Sequence, residues 1–217
     1  MQLKKNQVFS LIADNQPRKG LTISQTLFME KGKHITVFSL AQGTEISEEY
    51  YPNRYGYLVL QGTLKLCFRD RDKELKAWDG IFLSKGSTYR VEASEDVIYA
   101  EIEYQEETEM NLVNANEIFQ LKELLPVEEG KIVNADLVNT DAVKIVVMSF
   151  DAGCELPEHA APGEALFFCL DGEGVITTNG KPYSIKGGEN FVFAPGELHS
   201  VKAVTPFKMA LVLVKQK

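Results

Sequence analysis

The 217-residue sequence predicts an all-β protein built from two similar domains. When the chain is aligned with itself at an offset of 110 residues, 19 positions are identical, where average composition gives roughly six or seven. Each copy consists mainly of short segments rich in β-branched and aromatic residues, separated by turn residues. This pattern is typical of antiparallel sandwiches or barrels of jelly-roll size. We therefore expect a tandem duplication, with one domain over residues 1–108 and the second over residues 109–217.

The opening segment of each copy is predicted to be helical. The segments are 6–12 in the first copy and 116–125 in the second, and each begins with an asparagine, a residue that favours helix N-termini. We therefore expect a short helix before each barrel.

The strands are most clearly marked in the second copy. Its β-rich segments are 144–150, 166–170, 174–178, 191–193 and 207–214. The dipeptide Asn179-Gly180 between two of them is a specific hairpin signal. Glycines recur at equivalent turn positions of the two copies, as in Gly43 with Gly153. This recurrence indicates that the two copies have the same fold.

Composition and charge exclude several functional classes. With 44% hydrophobic and 25% charged residues the chain can bury a substantial core and is not a disordered protein. The net charge of −8, with no cluster of basic residues, argues against nucleic acid as a partner. No apolar run approaches the ~20 residues that cross a bilayer, and no signal peptide is recognisable, so we expect a cytoplasmic protein with no membrane partner. The expected partner is a small-molecule ligand or substrate, and the oligomeric state stays open.

Two motifs in the second copy resemble those of the cupin superfamily. The first runs from Gly153 through His159 to Gly172, and the second includes Gly188, Gly196 and His199. The second copy is similar to small single-domain bacterial cupins of undefined activity, and the duplication extends the resemblance to the first copy. The resemblance implies two tandem cupin barrels, that is, a bicupin of double-stranded β-helix or jelly-roll folds.

The resemblance also implies a metal site, which is incomplete in this sequence. His159 and His199 stand at two of the four ligand positions, whereas Ala161 and Ala165 replace the second histidine and the glutamate. Glu164 is adjacent to the expected carboxylate position. If an irregular backbone turned it inward, the three residues would form a two-histidine, one-carboxylate set for divalent Fe, Mn, Ni or Zn, which the sequence does not distinguish. The alternatives are a hydrogen-bonded histidine pair without metal and a metal-free acid/base role.

Apolar residues of the second copy are candidates for the lining of a pocket beside the histidines. They are Met148, Phe167, Cys169, Phe193 and Met209. The same residues are equally typical of an ordinary core.

The first copy retains none of the metal-ligand residues. Glu49, Tyr51, Arg54, Tyr55 and Tyr89 stand where the second copy has His159, Ala161, Glu164, Ala165 and His199. The tyrosines are expected either to fill the space of the lost metal site in the first barrel, with hydrogen bonds to Glu49 and Arg54, or to form an anion or carbohydrate pocket around Arg54.

Three functional hypotheses follow from the sequence. The second domain is an enzyme site for a small polar metabolite, a non-catalytic site for a small molecule, or part of a protein with a structural or assembly role. The sequence does not decide whether the protein is an enzyme.

Overall fold

The computed structural model describes residues 5–30, 33–104 and 110–215, and it confirms the all-β class. The described helical segments are α1 (Leu11–Asp14) and a 3-10 turn (Leu121–Glu123). At four and three residues, these segments are too short to cross a bilayer.

The chain divides into two compact units. Among the described residues, the first unit holds 12–30, 33–104 and 113–121, and the second holds 5–11, 110–112 and 122–215. The units differ from the predicted halves 1–108 and 109–217 in where the opening segments belong. Strand pairing places residues 5–11 with the second unit and residues 113–121 with the first.

The first unit is built from two antiparallel sheets. Its strands are β1 (Thr22–Glu30), β2 (Lys33–Leu40), β3 (Glu45–Tyr51), β4 (Arg54–Gln61), β5 (Thr63–Cys67), β6 (Asp72–Lys76), β7 (Asp79–Leu83), β8 (Ser87–Ala93), β9 (Val97–Tyr104) and β10 (Ile118–Gln120). One sheet has the order β1-β2-β9-β4-β7-β10 and the other the order β3-β8-β5-β6.

The second unit repeats this plan. Its strands are β11 (Ile132–Asn139), β12 (Val143–Phe150), β13 (Glu155–Ala160), β14 (Gly163–Asp171), β15 (Glu173–Thr178), β16 (Lys181–Lys186), β17 (Asn190–Phe193), β18 (Leu198–Ala203) and β19 (Phe207–Lys215). The sheet orders are β11-β12-β19-β14-β17 and β13-β18-β15-β16. In each unit the inward faces of the two sheets enclose a cluster of buried apolar residues.

The opening segments are less helical than the sequence predicts. Asn6 and Asn116 have φ angles of 58° and 64°, in the left-handed region, so neither residue is a helix N-cap. In the second copy, Ile118–Gln120 forms β10 on the edge of β7. Asn116 is fixed by Ser84, whose backbone N–H donates to the asparagine Oδ1 and whose hydroxyl accepts from Nδ2. Each asparagine therefore lies in a turn that precedes a strand pairing.

Candidate functional site

Strand register brings the two predicted histidines of the second unit together. His159 on β13 lies directly opposite His199 on β18, after an irregularity in the pairing that follows Leu156. The centroids of the two imidazoles are 4.4 Å apart and their planes are tilted by 53°. The pair therefore forms one polar spot on the inner wall of the smaller sheet.

Both imidazoles are held by backbone carbonyls. Nδ1 of His159 lies 2.9 Å from the carbonyl oxygen of Pro157, and Nδ1 of His199 lies 3.0 Å from that of Glu197. Because a carbonyl oxygen only accepts hydrogen bonds, each Nδ1 carries the proton. In the neutral ring, Nε2 then bears a lone pair and is available to a ligand.

The two histidines differ in burial. His159 is exposed, whereas the His199 side chain is buried and stacks on Phe193 with ring centroids 3.9 Å apart. Burial lowers the pKa of His199, with a further lowering from the neighbouring His159, and the carbonyl of Glu197 opposes this effect. His199 is therefore held in its neutral form near neutral pH.

A cavity of about 310 Å³ opens beside the pair. Its walls are mainly apolar and come from both sheets; the lining residues are Asn134, Asp136, Lys144, Val146, Met148, Leu156, His159, Ala160, Ala161, Pro162, Phe167, Phe193, His199, Val201, Met209, Leu211 and Leu213. Its volume is at the lower end of the range for small-molecule sites.

Four of the five predicted lining residues contribute to this cavity. Met148, Phe167, Phe193 and Met209 line it, whereas Cys169 is not among the lining residues. The Cys169 thiol is fully buried near the carbonyl oxygens of residues 171 and 172, and burial raises its pKa to about 12. Cys169 is thus a packing residue of the core.

The sequence interpretation missed several lining residues that alternation along the strands indicates. Lys144 and Val146 share the inner face of β12 with Met148, and Leu211 and Leu213 share that of β19 with Met209. Asn134 and Asp136 were missed because β11 shows no clear apolar alternation.

The structure does not bring Glu164 to the histidines. Ala165 and Phe167 on β14 belong to the buried core cluster, so Glu164 lies on the opposite face of the strand. Its carboxylate is 3.2 Å from Nζ of Lys5, and Glu164 is not among the cavity-lining residues. The backbone irregularity needed to turn it inward is therefore not formed at this position.

The residues present do not fit the metal that the sequence resemblance implies. Across the described ranges, no group of three or more His, Cys, Asp or Glu side chains is arranged to hold a metal ion. A catalytic zinc site ordinarily has three protein ligands, and a structural one four. Two imidazoles, with alanine at positions 161 and 165, fall short of either set.

Tyrosines fill the equivalent region of the first unit. The rings of Tyr51 and Tyr89 stack at 4.2 Å, and Tyr55 packs edge-on against Tyr51 at 5.0 Å. Tyr89 is fully buried, as expected for a side chain that plugs a cavity. Glu49 pairs with Tyr89 across β3 and β8, and Arg54 begins β4.

The tyrosine hydrogen bonds end on a residue that the sequence interpretation missed. The hydroxyls of Tyr57 and Tyr89 are 2.6 Å apart, and the Tyr57 hydroxyl donates to Oε2 of Glu101 at 2.9 Å. These two bonds lead to Glu101, whereas the sequence interpretation expected the tyrosines to bond to Glu49 and Arg54. Burial raises the pKa of Glu101 to about 7; the hydrogen bond from Tyr57 opposes this effect, and the charges of Glu103 and Glu49 add to it. The only sequence signal for Glu101 is its alternation with Tyr99 along β9.

Each unit is a two-sheet antiparallel barrel of jelly-roll type, and the second unit has a histidine pair across β13 and β18. Residues 146–215 match the family model described as "Cupin domain". The second unit is therefore a cupin domain, and the chain has a two-barrel cupin fold.

Solved structures extend the likeness over the whole chain. A cupin 2 conserved barrel domain protein from Leptotrichia buccalis is 28% identical, with a TM-score of 0.90 and 99% of each chain covered. A mutant of salicylate 1,2-dioxygenase from Pseudoaminobacter salicylatoxidans in complex with gentisate is 11% identical, with a TM-score of 0.69 over 91% of this chain and 75% of that one. AerE from Microcystis aeruginosa is 15% identical, with a TM-score of 0.57 over 92% and 96%. The last two show the fold alone. No curated protein matches the chain.

Proposed function

We propose that the second barrel binds a small, largely apolar organic molecule, with His159 and His199 as its polar contacts and without a resident metal ion. The observation that carries this proposal is the cavity of about 310 Å³, whose apolar walls lead to two imidazoles with the same anchored tautomer. A concave apolar pocket with a few convergent polar groups is the usual form of a small-molecule site.

The two anchored imidazoles define what the site can do chemically. Each ring is fixed by its Nδ1 hydrogen bond, so Nε2 accepts a hydrogen bond from a ligand with little loss of side-chain freedom. The tyrosine-filled first barrel supports a division of roles in which only the second barrel receives a ligand.

Ligand-observed NMR on the full-length protein tests this function. A set of small organic molecules is screened against the wild type and against Ala161→Phe, in which a ring is introduced at a buried position of the cavity wall. We expect binding signals in the wild type that are lost in Ala161→Phe. The matched control is Ala152→Phe, which changes an exposed turn residue outside the cavity and keeps the signals. Equal binding to the wild type and to a folded Ala161→Phe variant would place the ligand elsewhere.

A further inference from the structure

The ionic groups on the cavity wall neutralise one another. Nζ of Lys144 lies 2.9 Å from Oδ1 of Asp136, and Oδ2 of Asp136 accepts a hydrogen bond from Asn139 at 2.9 Å. The lysine is thus already paired, and the aspartate already has two partners. A ligand that used either group would first have to break this arrangement.

The imidazole pair lacks a carboxylate partner among the described residues. The closest acidic residue in sequence to His199 is Glu197, whose carboxylate accepts hydrogen bonds from the side chain of Asn179 and the backbone N–H of Ala194. With Nδ1–H of each ring held by a backbone carbonyl, His159 and His199 each present Nε2 of the neutral ring to the cavity as a hydrogen-bond acceptor.

Two neighbouring acceptors in an apolar wall select ligands by their hydrogen-bonding capacity. A carboxylate brings only acceptors, so its oxygens would face the lone pairs of Nε2. An ammonium group brings donors, but its charge would lose water without gaining an anionic partner. A neutral hydroxyl donates to Nε2 at a much smaller desolvation cost.

We infer that the ligand of the second barrel is a neutral alcohol, with one or two hydroxyl groups on a compact apolar skeleton that donate to Nε2 of His159 and His199. This inference rests on the proposed function and adds the chemical class of the ligand. The apolar skeleton lies against side chains such as Phe167, Phe193 and Met209, which line the same cavity.

A series of probes on one cyclohexane ring tests the inference. Cyclohexanol, methoxycyclohexane, cyclohexanecarboxylate and cyclohexylammonium have nearly the same skeleton and differ in donors and charge. We expect cyclohexanol to bind the wild-type protein about tenfold or more tightly than each of the other three, which corresponds to one net hydrogen bond. The dissociation constants are measured by calorimetry or ligand-observed NMR at pH 7.5.

Histidine variants identify the acceptors. In His159→Leu His199→Leu, cyclohexanol should lose its advantage over methoxycyclohexane, because the ligand then meets no acceptor on that wall. The single variant His159→Leu changes an exposed side chain, so it provides the test should the double variant not fold. His34→Leu in the first unit is the matched control and should leave the preference unchanged.

The possible failures are distinguishable. Tighter binding of the carboxylate or ammonium probe, or equal binding of the ether and the alcohol, would overturn the alcohol inference while the cavity still binds a ligand. An alcohol preference that persists without both imidazoles would also overturn it. If none of the four probes binds, both the ligand class and the proposed function are contradicted.

Discussion

Glu101 places a carboxylate in hydrogen-bond contact with a buried tyrosine of the first barrel. On β9 it lies between Thr36 of β2 and Tyr57 of β4, and Glu103 follows two residues later on the same face. Glu49 adds a further negative charge, and the contact described for the Glu101 carboxylate is the Tyr57 hydroxyl. A carboxylate that is buried without a cationic partner is stabilised by holding a proton.

This burial predicts a pH-dependent stability for the first unit. The folded pKa of about 7 exceeds the ordinary value of 4.5, so the folded state binds the proton more tightly than the unfolded state. Stability is therefore fully present below pH 4.5 and is lost as pH rises through 7, by up to about 3 kcal/mol. Glu101→Gln should remove this loss.

Urea unfolding at pH 5, 7 and 9 measures the effect. Trp78 is the single tryptophan of the chain and belongs to the first unit, so its fluorescence reports that unit. The control is Glu74→Gln, at an exposed position on β6, which should keep the wild-type pH profile. An unchanged profile in Glu101→Gln would show that another group titrates.

At the scale of elements, the opening segments complete the larger sheets. In the first unit β10 pairs with β7, and Phe119 packs on Gly80, where a Cβ atom would lie 2.5 Å from the aromatic ring. In the second unit Phe9 forms a bridge to Asn190 on β17 with two backbone hydrogen bonds. Each segment thus protects a sheet edge that would otherwise expose unpaired backbone groups.

The side chain of Asn190 anchors residues 5–11 to the second unit through a hydrogen bond to Leu11. Removal of this side chain should destabilise the second unit. Its Oδ1 accepts from the N–H of Leu11 at 3.0 Å, and its Nδ2 donates to the carbonyl of Phe167 at 3.2 Å. Because Asn190→Ala leaves both buried backbone groups without these partners, we expect a loss of about 3 kcal/mol.

Amide hydrogen exchange with mass spectrometry localises this effect. Peptides from β17 and from residues 5–11 should lose protection in Asn190→Ala, whereas β7 and β10 of the first unit should not. Asn114→Ala, an exposed asparagine of the first unit, is the control and should change stability by no more than about 0.5 kcal/mol. Wild-type protection of β17 in Asn190→Ala would contradict the anchoring role.

At the scale of the whole molecule, the two barrels have the same strand plan but different interior side chains. Large polar aromatics fill the first interior, with Tyr89 and Tyr99 fully buried. The equivalent position of Tyr89 in the second unit is His199, and alanine at 161 and 165 leaves space where larger side chains stand in the first. The second interior thus has a cavity beside its histidines, and the first has stacked tyrosines at the equivalent positions.

The ligand set of the second barrel predicts the metal content of the protein. Because the described residues contain no group of three or more His, Cys, Asp or Glu side chains arranged to hold a metal ion, we expect well below one equivalent of divalent metal per chain after purification without a histidine tag. Elemental analysis by mass spectrometry, before and after dialysis against EDTA, measures this content. One equivalent that disappears in His159→Ala His199→Ala would contradict the prediction.

Much of the fold follows from local patterns that a single sequence contains. Period-two alternation, turn dipeptides such as Asn179-Gly180 and recurring glycines indicate the strands and their boundaries. The resemblance to the cupin motifs also implied that His159 and His199 share one site, and strand register places them opposite each other. The lining residues Met148, Phe167, Phe193 and Met209 lie on strands that the sequence pattern marks.

The sequence by itself thus determined a duplicated all-β chain with a histidine pair in its second half. Only the tertiary structure decided that Glu164 turns away to Lys5, that Glu101 receives the tyrosine hydrogen bond, and that residues 5–11 pair with β17. The physical reason is the range of the interactions. Turns and alternation act over a few residues, whereas these contacts join residues distant in sequence and depend on how the strands are packed.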